Sequence, residues 1–88
     1  MYTVYILYSA GYDRFYVGQT QDIVSRLNRH NNGIEKATMP YRPWQIKCLI
    51  EKETRAEAML LEKKLKNLNS KRILAFIQKY GTGGRDEA

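Results

Sequence analysis

The chain has 88 residues, enough for one domain with a modest core. With 43% hydrophobic and 27% charged residues it reads neither as a disordered tail nor as a membrane protein, since no apolar run approaches the length of a bilayer span. Fifteen Lys and Arg against nine Asp and Glu give a net charge of +6, which favours a polyanionic partner.

The elements follow in order. Tyr2, Val4, Ile6 and Tyr8 alternate with Thr3, Tyr5, Leu7 and Ser9, the period of a strand. Ala10 to Arg14 holds Gly11 and Asp13, which tolerate the dihedrals of a hairpin loop. A second strand, Phe15 to Gln19, puts Phe15 and Val17 on one face and Tyr16 and Gly18 on the other. Asp22 is then a good N-cap for a helix on which Arg26 and His30, four apart, share a face. Gly33 ends that helix.

Ile34 to Pro43 is expected to be a basic loop, with Lys36 and Arg42 around Met39–Pro40–Tyr41 and two prolines against a regular helix. Trp44 to Lys52 predicts a third strand with Trp44, Ile46, Cys48 and Ile50 on its apolar face. The single Cys48 is therefore a buried structural thiol, incapable of an internal disulfide. Thr54 and Glu57 have the spacing of a capping box, opening a helix to about Leu68 with Ala58, Leu61, Leu65 and Leu68 as its buried stripe. Ser70 can cap a third helix facing inward through Ile73, Leu74, Ile77 and Tyr80, and residues 81–88 are expected to form a flexible tail.

The order β-β-α-β-α-α predicts an α+β fold in which helices cover both faces of a small sheet. No basic-then-apolar leader is seen, and a cytoplasmic location is expected. No His or Cys cluster suggests zinc, and no glycine-rich loop suggests a nucleotide cofactor.

Val4–Tyr5–Ile6, Tyr16–Val17–Gly18, Arg26 ten residues on, His30, and Glu62 on a later helix together resemble the GIY-YIG nuclease domain, and in particular its small stand-alone bacterial members. The resemblance covers residues 1–80 and implies a three-stranded antiparallel sheet flanked by helices. It also implies a DNA endonuclease of repair or processing that uses Mg²⁺ or Mn²⁺, with Tyr5, Tyr16, Arg26, His30 and Glu62 as its catalytic set.

Each residue suits its part. The planar fork of Arg26 can bond two oxygens of a scissile phosphate, and Glu62 offers one carboxylate to a hydrated cation. The alternative for Glu62 is an i,i+4 pair with Lys66, and for His30 a structural hydrogen bond. One tyrosine is implied to take a proton from the attacking water; we expect Tyr5, with Tyr16 positioning water or phosphate. Gly18 is expected to leave room for substrate, with Arg26, Arg29, Lys36 and Arg42 contacting the DNA. Nothing in the chain is large enough for a separate sequence-reading module. The expected substrate is thus branched or single-stranded DNA, with a protein partner as another source of specificity.

The sequence departs from the family pattern at three points. Its first tripeptide lacks the glycine and reads Thr3–Val4–Tyr5. Gln19 stands where many relatives carry a lysine, and the late asparagine of the larger nucleases has no clear match.

Overall fold

The computed structural model describes residues 1–81. Alternating apolar residues form β1 (Tyr2–Ser9) and β2 (Arg14–Thr20), which pair antiparallel with Tyr5 opposite Gly18 and Leu7 opposite Tyr16. At the loop between them it is Asp13, not Gly11, that takes the left-handed conformation (φ 51°), and its carboxylate accepts the Tyr8 hydroxyl at 2.7 Å. The third strand, β3 (Gln45–Lys52), pairs antiparallel on the other side of β1, giving the sheet order β2-β1-β3. The expected α+β fold, with its three-stranded antiparallel sheet and β-β-α-β-α-α order, is the one observed.

Three helices cover the sheet. Asp22 caps α1 (Ile23–Asn31) by accepting the Ser25 amide at 3.1 Å, and Gly33 follows the helix with φ 77°. The capping box of α2 (Arg55–Lys66) is complete, with the Thr54 hydroxyl accepting from the Glu57 amide and Glu57 reaching back to Thr54. The cap of α3 (Ser70–Tyr80) is Asn69, one residue before the expected Ser70; its side chain accepts the Arg72 amide at 2.9 Å.

Each face of the sheet has its own core. Val4, Ile6, Val17 and Cys48 pack with Ala58 and Leu65 of α2 and Ile73 of α3. On the opposite face Tyr5, Leu7 and Trp44 pack with Tyr16 and with Ile23 and Leu27 of α1. Two expectations are corrected here. A bulge between Ile6 and Leu7 shifts the β1–β3 register, so Trp44 and Ile46 lie on the Tyr5 face while Cys48 and Ile50 lie on the other. Leu74 and Tyr80 of α3 are exposed, and Phe76 packs on the core beside Ile77, because only one side of this helix meets the sheet. The 34–43 segment contains a single 3-10 turn, Met39–Tyr41, with Pro40 in its first turn.

Gly81 is buried against Ile77, and its amide donates to the Ile77 carbonyl. It therefore belongs to the packed domain, while the rest of the expected tail, 82–88, lies outside the described residues. Among the described residues no helix is long and apolar enough to cross a membrane.

Candidate active site

The site grows from the pairing of β1 with β2. Tyr5 and Tyr16 project from the same face, as the strand alternation requires, with ring centroids 6.4 Å apart. The His30 ring, from α1, meets both edge-on, at 5.9 Å from Tyr5 and 5.0 Å from Tyr16. Gly18 sits opposite Tyr5, and a Cβ there would overlap the Tyr5 ring and hydroxyl. The space that Gly18 leaves is thus filled by the Tyr5 phenol, not kept for substrate.

His30 is fully buried and hydrogen-bonded at both ring nitrogens. The Thr38 hydroxyl donates to the Glu35 carbonyl (3.3 Å), so it accepts from His30 Nδ1 at 2.8 Å. That leaves Nε2 as the acceptor of the Tyr5 hydroxyl at 3.0 Å. Burial lowers the His30 pKa below the usual 6.5 and favours this neutral form, with Arg26 and Arg29 pushing the same way and Glu35 opposing.

The two tyrosines differ in accessibility. Tyr5 is 1% exposed, and its phenol is pushed up to about 12. Burial is the main cause, and the Arg26 guanidinium beside it works in the opposite direction. Tyr16 is only half-buried.

Arg26 and Glu62 approach from opposite sides of β2, an edge strand of the sheet. Arg26 is carried by α1, and its Nη1 donates to the Gln19 carbonyl at 3.5 Å. Glu62 is carried by α2, and its Oε1 accepts from Gln19 Nε2 at 3.0 Å. Gln19, which replaces the expected lysine, is therefore the meeting point of both helices. The Glu62 carboxylate also pairs with Lys66 through Oε2 at 2.8 Å, so the alternative predicted for Glu62 coexists with its place at the site. Its charge is close enough to Tyr5 to raise that phenol further. Tyr5, Tyr16 and His30 thus meet directly and Arg26 lies beside Tyr5, whereas Glu62 reaches Gln19 from the other side of β2. The chain belongs to the GIY-YIG catalytic domain family, which matches residues 1–80. No curated protein and no solved structure matches it.

In the GIY-YIG framework the remaining expected DNA contacts are spread out. Arg29 is half-exposed and bridges to Glu35, with Nη2 at 2.6 Å. Arg42 is exposed at its surface but packs its guanidinium over Gly33, and Lys36 is exposed in the loop. Two residues at the site escaped sequence reasoning. Thr38 fixes the His30 tautomer from a loop eight residues away, and only its hydroxyl marked it. Arg55, the first residue of α2, joins Arg26 and Arg29 along one cleft; a cation at a helix start was the signal that could have found it.

GIY-YIG nucleases are a divalent-metal family, and the donor set here fits a hydrated hard cation. Among the described residues there is no group of three or more His, Cys, Asp or Glu that could hold a metal ion. A Mg²⁺ or Mn²⁺ ion retains most of its waters and needs only one carboxylate together with substrate oxygens. Glu62, one-fifth exposed at the strand edge, offers that carboxylate.

Proposed function

We propose that this chain is a divalent-metal-dependent endonuclease that hydrolyses DNA phosphodiester bonds and selects branched or unpaired DNA, in repair or processing in the cytoplasm. The observation that supports this reading is that Arg26 and Glu62 both reach Gln19, from α1 and α2, while Tyr16 packs beside Tyr5 on the α1 face of the same strand. In this reading Arg26 holds the scissile phosphate and offsets the charge that builds on it. Tyr16, once its own phenol proton has passed to solvent, takes the proton of the attacking water. This exchanges the roles first expected of the two tyrosines, because Tyr5 has its proton donated to His30 and its ring shut away from solvent. Tyr5 and His30 are positioning residues here, holding the wall against which Tyr16 packs. Glu62 would hold the cation, which supplies further neutralisation of phosphate charge when bound.

Selection for unpaired DNA is supported by a row of aromatic rings leading away from Tyr16. Tyr16 meets Trp44 at 6.2 Å, Trp44 meets Tyr41 at 6.5 Å, and Tyr41 meets Tyr12 at 5.3 Å. The Arg14 guanidinium lies 4.2 Å from the Tyr41 ring centre, and Tyr12 is 56% exposed. Trp44 is buried, but the exposed Tyr12 and the half-buried Tyr41 beside Arg14 suit stacking on splayed-out bases, which a duplex does not offer.

The test is cleavage of a panel of branched, flapped, single-stranded and linear duplex DNAs in Mg²⁺, Mn²⁺ or EDTA. We expect nicking of the branched substrates with either metal and none in EDTA. Arg26→Ala should lower the rate by about 10²–10³ with an unchanged Tm. Glu62→Gln should keep DNA binding and lose metal-dependent cleavage. Wild-type protein that binds these DNAs yet cuts none of them would instead be a nucleic-acid-binding protein with this fold, and the nuclease reading would be lost.

A further inference from the structure

Beside the site, between the end of β2, the first turns of α1 and the start of α2, lies a polar cleft of about 590 Å³. Its volume is within the range of ligand pockets. Arg26, Arg29 and Arg55 all line it, together with Thr20, Asp22 and Ser25. The Asp22 carboxylate is engaged with the Ser25 amide, and Arg29 with Glu35. Neither Arg26 nor Arg55 has a salt bridge among the described residues.

Three arginines line one cleft with Asp22 as the single acidic residue of its lining, which concentrates positive charge there, and Arg55 adds a second local cost. It occupies the first residue of α2, where the positive end of the helix disfavours a cation. Local mismatches of this kind concentrate at functional sites, where a ligand offsets them. An anion in the cleft offsets both costs at once. Arg26 belongs to the cleft and to the candidate active site alike, so the anion and the scissile phosphate are neighbours.

We infer that this cleft is a second phosphate subsite, in which Arg55 and Arg29 hold a phosphodiester group of the same DNA strand, next to the group held by Arg26. Arg55 is thereby a positioning residue that sets which way the strand leaves the reacting phosphate. The inference rests on the proposed reading of the site as one that binds a DNA strand. Arg55 needs no metal for this task, and its contribution is present in EDTA.

The experiment measures binding of a fluorescent single strand and of a branched DNA to the full chain in EDTA, over a salt series, for wild type, Arg55→Gln and Arg55→Lys. Arg55→Gln should weaken binding about tenfold at low salt and reduce the salt slope by about one phosphate, for both DNAs alike. Arg55→Lys should recover most of the slope, which loss of packing alone would not allow. In Mg²⁺, Arg55→Gln should raise KM more than it lowers kcat. Wild-type affinity and slope in the Arg55→Gln protein would overturn the inference, even if the wild type cleaves DNA. Conversely, a lost slope in a protein that never cleaves would uphold the subsite and remove the nuclease. A parallel titration followed by NMR compares a short oligonucleotide with inorganic phosphate. Saturation of the Thr20 and Ser25 amide shifts by the oligonucleotide at concentrations where phosphate has no effect identifies the strand as the occupant. Equal saturation by inorganic phosphate would make the cleft a free-anion site and overturn the inference.

Discussion

On the α2–α3 side of the sheet, Val4, Ile6, Val17, Ala58, Leu65 and Ile73 meet as aliphatic surfaces, with Cys48 the only heteroatom among these buried side chains. On the α1 side, Tyr5, Tyr16, His30, Thr38 and Trp44 meet through directed contacts. The first kind of packing is non-directional and answers mainly to volume. The second answers to donor, acceptor and ring orientation, so a change of one atom alters where its neighbours point. One sheet therefore carries a face that holds the fold together and a face that aims side chains, and β1 supplies both from alternate residues.

Substitutions can separate the two faces. The largest expected effect is on chemistry. Tyr16→Phe should lower kcat by about 10²–10⁴ while leaving the urea midpoint in place, since the half-buried ring is kept and only a hydroxyl is lost. Ile73→Ala should do the reverse. It should cost about 2–5 kcal/mol in denaturant unfolding, with kcat per folded molecule retained, because α3 carries no site residue. If Ile73→Ala changed kcat as much as stability, the faces would be one mechanical unit and the comparison would break.

Gly18→Ala should affect both properties. The added Cβ collides with the Tyr5 phenol, which is buried and bonded to His30, so it should cost about 1–3 kcal/mol and lower the cleavage rate together. The smallest effect is expected from pH. The pKa of His30 is lowered in the fold, so the unfolded chain binds the proton more readily. The stability it contributes is fully present above 6.5 and is lost as the pH falls below that value toward the folded pKa. Tm should therefore decline on acidification, and His30→Gln should flatten part of that decline. An unchanged pH dependence in the variant would place the acid sensitivity elsewhere.

Much of this was legible because it is local. Strand period, the Asp22 cap and the Thr54–Glu57 box are each written within a few residues, and each appears in the fold. The ordered set Tyr5, Tyr16, Arg26, His30 and Glu62 carries the resemblance to the family that matches the chain. What stayed hidden depends on register between distant segments. The bulge opposite Ile6 and Leu7 moves Trp44 across the sheet, although the alternation of β3 taken alone puts it with Cys48. The enclosure of one of the two tyrosines is hidden for the same reason. Only the pairing of Tyr5 with Gly18 reveals that one phenol is enclosed, and only the fold shows that Gln19 joins the two helices.

The position of Gln19 on an outer strand has a consequence for solubility. An outer strand presents unpaired amides and carbonyls, and another chain can extend the sheet there. Along β2 the approach is guarded by charge: Arg26 takes up the Gln19 carbonyl from one side, and the Glu62–Lys66 pair stands over its side chain on the other. The groups proposed to cut DNA are thus also placed where charge opposes strand addition, whether or not substrate is bound. Neutralising both Arg26 and Glu62 in one molecule would leave a longer uncharged edge, and such a protein should self-associate at concentrations where the wild type stays monodisperse in light scattering.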